Sequence, residues 1–176
     1  MIRPRIGLFH APCFDYPAGM LERVISGGQT GADQAGWRAA RAAGIPTGGM
    51  MPKGFLTEDG PRLDFAELYG AREHQSPSYP PRTFANASDG HATVWFGSTD
   101  SLGYLSTTTA CMKAGNRPMI LVTTRAIRPA DVARELERLG AKVVNVAGNR
   151  ESKNPGIGAR VEWFLAEVFR QLGKTP

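Results

Sequence analysis

Val24-Ile25-Ser26-Gly27-Gly28-Gln29-Thr30-Gly31-Ala32-Asp33 is the stretch that decides the fold. A short apolar run stops at Ser26. Small and hydroxyl-bearing residues follow, and a helical pattern takes over after Gly31. A strand leading through a glycine-rich turn into a helix is the first half of a βαβ unit. The free N–H groups and dipole at such a helix start attract anions. Two more segments repeat the arrangement. Ala92-Thr93-Val94-Trp95-Phe96-Gly97 leads into Ser98–Thr107, and Val143-Val144-Asn145-Val146-Ala147-Gly148 leads into Asn149–Gly158. If the three strands are parallel neighbours, all three loops open on one edge of the sheet and surround one phosphorylated ligand.

Outward from this stretch, the chain alternates strands and helices. The first strand covers Arg23–Ser26, and the first helix runs from Gly31 to Ala43, where Gly44 and Pro46 stop it. Thr30 is placed as its N-cap, with Asp33 three residues on resembling a capping box. Ala32, Ala35, Gly36, Ala39 and Ala43 form a small-residue face suited to close packing on a sheet. Thr47–Met51 is a short second strand. Pro52 to Pro81, rich in Gly, Pro and charge, is too long for a plain connection and is either a lid or holds minor structure of its own. Tyr79–Ala87 reads as a short helix before the strand Ala92–Phe96, and Ser106–Ala114 as a helix stopped by Gly115. Met119–Thr123 is apolar throughout, the pattern of a strand buried on both faces. Pro129 opens a helix with Val132, Leu136 and Leu139 on one face, and Gly140 closes it. Lys142–Ala147 is the last strand. In the final helix Ile157, Val161, Phe164, Leu165, Val168, Phe169 and Leu172 recur at helical spacing. This alternation predicts a doubly wound α/β, Rossmann-like fold: a mainly parallel sheet of about five strands with helices on both faces. The three tryptophans, Trp37, Trp95 and Trp163, are expected in the core or at its margin.

Composition narrows the classes. The 176 residues carry 21 basic and 16 acidic side chains, a net charge of +5, which suits a phosphate-bearing partner. The basic residues are scattered and do not alternate with aromatics, which argues against nucleic acid. No apolar run is long enough to span a bilayer. Cys13 and Cys111 make neither a disulfide framework nor a metal-ligand spacing, as expected of a cytoplasmic protein. Residues 1–19 carry Arg3 and Arg5 and a short Ile6–Phe9 apolar stretch broken by His10 and Pro12, without a clean cleavage site. They read as a dispensable extension rather than a signal peptide, ahead of one ligand-binding domain over 20–176.

Each loop has a plain structural reading beside the functional one. Ser26, Gly27, Gly28, Gln29, Thr30, Gly31 and Asp33 form either a tight turn or a backbone cradle for an anion. The loop lacks the Gly-Lys-Ser/Thr ending of a P-loop and the G-x-G-x-x-G turn. Gly97, Ser98, Ser101, Gly103, Ser106 and Thr107 hold more hydroxyls than a helix cap requires, and the surplus points to anion recognition. Gly148, Arg150, Glu151 and Ser152 form either a solvated surface loop or a ligand-binding loop at a third helix start, with Arg150 as a fork to a phosphate or carboxylate. Lys53 reaches either an anion or solvent; Glu58 and Asp59 meet a ribose, an amine or a metal, or only the turn at Gly60-Pro61. His10, His74 and His91 show no metal spacing.

Taken together, Ser26–Asp33, Gly49 with Pro52-Lys53-Gly54, Glu58-Asp59-Gly60, Arg82-Thr83 with Asn86, Ser88-Asp89-Gly90, and Asn145–Ser152 with Pro155-Gly156 resemble the family called "putative molybdenum carrier". The resemblance runs from Met20 to the end of the last helix. It implies a circularly permuted Rossmann-like fold related to the lysine-decarboxylase-like (LOG) proteins. It also implies a homo-oligomer, dimer or tetramer, and a ligand such as the molybdenum cofactor (molybdopterin), a pterin bearing a phosphate. Gly103-Tyr104-Leu105-Ser106-Thr107 departs from the family's Gly-Thr-x-x-Thr, with Tyr104 in place of a threonine. Phosphoribohydrolases of the related fold carry a glutamate where Thr107 stands, so cleavage of a glycosidic bond lacks its expected acid/base. The leading expectation is a non-catalytic binder or carrier of a phosphorylated small molecule, the molybdenum cofactor or a nucleotide-like anion. Two alternatives remain: a nucleoside-monophosphate phosphoribohydrolase working through Glu58, Asp59 or Glu151, and a nucleotide-sensing or protein-interaction module.

Overall fold

The computed structural model describes residues 21–173. The reading of residues 1–19 as an extension lies outside them. Strand β1 (Arg23–Ser26) is followed by α1 (Ala32–Ala42), β2 (Thr47–Met51), a 3-10 turn at Lys53–Phe55, β3 (Leu56–Thr57), β4 (Gly60–Pro61), α2 (Phe65–Tyr69) and β5 (Ala71–Glu73). Then come α3 (Tyr79–Asp89), β6 (Ala92–Phe96), α4 (Leu102–Lys113), β7 (Met119–Val122), α5 (Pro129–Arg138), β8 (Val143–Gly148) and α6 (Ile157–Leu172). Six strands form one parallel sheet in the order β5-β2-β1-β8-β6-β7. The α/β, doubly wound architecture therefore holds, with six strands rather than about five. The added strand is β5, three residues whose one buried side chain, Ala71, leaves no periodicity to read.

One face of the sheet is covered by α1, α5 and α6. Ala35, Ala39, Val132, Leu136, Leu165 and Val168 pack there on Val24, Val94, Val144 and Val146. All seven apolar residues of the α6 pattern are buried, as is the small-residue face of α1 up to Ala39. The other face carries α3 and α4, through Ala87, Ala110 and Cys111. A third cluster closes the β2 end, where Trp37 stacks on Tyr69 at 4.7 Å and donates its indole N–H to Gly48 O at 2.7 Å.

The long segment after β2 holds structure of its own: the 3-10 turn, the β3–β4 hairpin, α2 and β5. Three expectations need correction. Thr30 is not the cap of α1. Gly31 occupies that position with no side-chain cap, and the Asp33 carboxylate turns back to accept Gln29 N at 3.3 Å. Helix α4 starts at Leu102, not Ser106, because Ser101 caps it by accepting Tyr104 N at 3.2 Å. Met119–Val122 is an edge strand, half-buried at every residue: it pairs with β6 alone, so neither face is fully covered. Trp163 also departs from expectation. It lies on the outer side of α6 and is 64% exposed.

Candidate functional site

Parallel pairing fixes where the three loops go. Ser26 registers with Val146 and Phe96 with Gly148, so β1, β8 and β6 end together and their loops open on one edge. Because β8 lies between β1 and β6, its loop joins the other two. Ala32 N donates to Asn149 O at 3.2 Å, and Glu151 N to Thr30 Oγ1 at 3.3 Å. On the other side Asn149 N donates to Phe96 O at 2.9 Å. Its Oδ1 accepts Ser98 N at 2.8 Å, and its Nδ2 donates to Ser101 Oγ at 3.3 Å. Two glycines permit this closeness. A Cβ on Gly31 (φ 78°) would stand 2.6 Å from Asn149 O, and one on Gly97 (φ 115°) 2.2 Å from Asn149 Oδ1.

The loops enclose a cavity of about 640 Å³, within the size range of small-molecule sites. Of the residues singled out from the sequence, Gln29, Asp33, Ser98, Ser101, Gly103, Ser106, Thr107, Gly148 and Arg150 line it. Ser26, Gly27, Gly28, Thr30, Gly31 and Gly97 build the turns behind this wall. Lys53, Glu151 and Ser152 are not among the lining residues. Lys53 is exposed in the 3-10 turn, where its backbone N–H donates to Ser76 O. The Glu151 carboxylate accepts Gly156 N and Gly158 N, the latter at 3.0 Å, and so caps α6. Ser152 donates through Oγ and N to Glu58, whose carboxylate also accepts from Thr30 Oγ1. Glu58 thereby ties the β3–β4 hairpin across the first and third loops. Burial pushes its carboxyl up, but the bonds from Ser152 and Thr30 outweigh that and hold it below the usual glutamate range.

Helix α3 contributes a wall that the loop-by-loop reading passed over. Tyr79 and Arg82 line the cavity. Arg82 Nη1 lies 3.5 Å from Asp33 Oδ2, and Gln29 Nε2 donates to Tyr79 OH at 3.3 Å. Burial pushes the Asp33 carboxyl up and the Arg82 guanidinium down, each against the pull of the other. Arg150 lies over the Tyr79 ring, 5.0 Å from its centroid, and neither Arg150 nor Lys153 has an ion-pair partner among the described residues. The amides of Asn145 and Asn149 complete the lining, Asn145 Nδ2 donating to Thr93 Oγ1 at 3.1 Å. Asn86 also faces the cavity, but both ends of its amide are spent on Met50 N and O, at 2.7 and 2.9 Å. Arg82, Thr83 and Asn86 carried a sequence signal within the family motif. Tyr79 carried none, since an aromatic opening a helix is ordinary core material.

The site thus joins an anion-receptive side (the capped start of α4, Arg150 and Lys153) to a polar floor of amides with one buried carboxylate. Among the described residues no cluster of three His, Cys, Asp or Glu side chains could hold a metal ion, and no helix is long and apolar enough to cross a membrane.

Residues 24–169 match the model of the circularly permutated YpsA SLOG family. The fold also matches the crystal structure of a "putative molybdenum carrier protein" from Syntrophus aciditrophicus SB, with a TM-score of 0.75 and 31% sequence identity. That match covers 85% of this chain and 95% of the other. A comparison with curated proteins returns no match.

Proposed function

Since the chain belongs to the circularly permutated YpsA SLOG family, we propose that its cavity binds and carries a phosphorylated small molecule without breaking it. The molybdenum cofactor and nucleotide-like anions are the candidate ligands. The observation that carries this reading is the convergence of three strand-end loops on one cavity whose rim holds Arg150 and Lys153, neither of them in a salt bridge among the described residues. A phosphate would sit at the start of α4 against these cations. A flat heteroaromatic ring would lie toward Tyr79 and the amides. For the molybdenum cofactor the metal would arrive within the ligand, and the protein would supply the seat for the pterin and its phosphate. The name of the Syntrophus protein supports the same reading.

The test is a thermal-shift panel of nucleoside monophosphates and purified cofactor. Ligand at about 100 times its dissociation constant adds about 2.7 kcal/mol to stability, a shift of several degrees. Arg150→Ala combined with Lys153→Ala abolishes the shift. A flat response to every phosphorylated ligand overturns the proposal.

One observation favours the hydrolase alternative. Asp33 is a buried carboxylate facing the cavity, and burial pushes its pKa up against the pull of Arg82 and Arg150. Glu58 and Glu151 are instead engaged outside the lining. Release of free base from a nucleotide, lost in Asp33→Asn, establishes this alternative; an unchanged nucleotide after prolonged incubation removes it.

A further inference from the structure

We propose a second ligand site on the opposite face of the sheet, for an organic anion with an apolar ring-bearing body and one carboxylate. It is a groove of about 890 Å³ between α6 and the loop that joins β7 to α5. This is larger than the loop cavity and independent of the carrier reading.

The floor is apolar: Phe96, Ile157, Val161 and Phe164 are buried beneath it, with Val122 and Ile127 half-buried at the side. Trp163 stands at the margin, 64% exposed, an unusual placement for the most costly side chain to leave in water. The rim is cationic. Arg125 has no hydrogen bond or ion pair among the described residues. Arg160 is held in place by neutral acceptors only, Pro155 O at 3.2 Å and Asn154 Oδ1 at 2.6 Å, so its charge is uncompensated. Arg128 is balanced by Asp131. No carboxylate lines the groove.

These features select the occupant. A second copy seated symmetrically would set Arg125 and Arg160 against themselves, which like-charge repulsion opposes. A neutral apolar ligand would leave the two guanidiniums unused. A carboxylate on a ring satisfies both, with the head between Arg125 and Arg160 and the ring against Trp163 and the apolar floor.

The probes are 2-naphthoate and its neutral isostere 2-naphthalenemethanol, titrated by calorimetry into the whole protein. Naphthoate is expected to bind saturably at one site and about ten-fold tighter than the alcohol, the gain expected of a charge-assisted contact. The ratio should fall as salt rises. Arg125→Gln with Arg160→Gln brings the two ligands to within about two-fold by removing the charge-assisted contact, while Trp163→Ala weakens both. All three side chains are exposed, so an unchanged far-UV spectrum and melting temperature are expected, and the thermal shift with a nucleoside monophosphate stays as in the parent. Should the variants fold poorly, the salt dependence of the ratio in the parent decides. Equal affinity for the two probes, absence of saturable heat up to millimolar ligand, or a carboxylate preference that survives the double substitution each overturns the site.

Discussion

Asn149 does the work of three residues. Its carbonyl holds the start of α1, its backbone N–H extends β6, and its amide spans Ser98 and Ser101. Asn149→Ala removes the side-chain bonds to Ser98 N and Ser101 Oγ and is expected to cost about 1 kcal/mol, the net worth of a part-exposed hydrogen bond. Denaturant unfolding measures this, and ligand affinity should fall with it because the first and second loops lose their common strut. Glu58 gives a pH prediction. Its folded pKa is depressed, so its contribution is complete above the unfolded glutamate value and disappears as pH falls through the lower folded value. Between pH 6 and 3 the parent should lose more stability than Glu58→Gln, and parallel urea-midpoint curves would refute the clasp. Asp33 runs the other way. Its raised pKa means that acidification relieves the burial of its charge, so the stability of the parent relative to Asp33→Asn, which also leaves Arg82 without its carboxylate, should rise as pH falls, as read from urea midpoints. The sequence made the loop residues legible as a group, because glycines and hydroxyls concentrate where backbone approaches backbone. It did not separate Gln29 and Arg150, which face the cavity, from Glu151 and Ser152, which brace it, because that depends on which partners the fold supplies: Tyr79 beside Gln29 and Arg150, Glu58 on Ser152, and the start of α6 on Glu151.

At the scale of elements, helix starts decide the site. Ser101 and Glu151 each sit in a loop read as anion-binding, and each caps a helix with its own side chain. Capping and ligand binding draw on the same free N–H groups, so residue type alone cannot distinguish them. Ser101 leaves the other N–H groups of the first turn of α4 for a ligand, whereas Glu151 occupies two at the start of α6 with a carboxylate. Glu151→Ala is therefore expected to lower stability by about 1 kcal/mol, as for a lost cap next to the helix dipole, and to leave ligand affinity within about two-fold. Calorimetric melting and ligand titration on the same variant check both halves, and a large loss of affinity without loss of stability would return Glu151 to the binding surface. The long helices were legible because their buried faces repeat at 3.6 residues, as α6 shows from Ile157 to Leu172. The start of α4 was not: Gly103 and the run of hydroxyls look like loop, and only the Ser101 cap reveals a helix there.

For the whole molecule, the position of β8 was the feature hidden from the sequence. Apolar runs announce strands but not neighbours, and Lys142–Ala147 could have paired at an edge. Insertion of β8 between β1 and β6 turns three separate loops into one cavity. The same scale governs assembly, which the family resemblance implies and which we propose through α4. From Leu102 to Met112 this helix carries no charged residue, and Leu102, Leu105 and Met112 are 86%, 63% and 63% exposed. They fall at i, i+3 and i+10, on one side of the helix, and Phe84 of the adjoining α3 is 44% exposed. A surface helix normally turns charge to water, and an uncharged face with large exposed apolar side chains marks a protein interface. A symmetric pairing of α4 with α4 would bury this stripe and set two loop cavities side by side, since Leu102 also lines the cavity. Light scattering of the eluted protein should give at least twice the chain mass of 19.0 kDa, and Leu105→Glu should return it to the single-chain mass with an unchanged far-UV spectrum. A parent that stays at one chain mass up to high concentration would leave the stripe without a symmetric partner and sink this assembly.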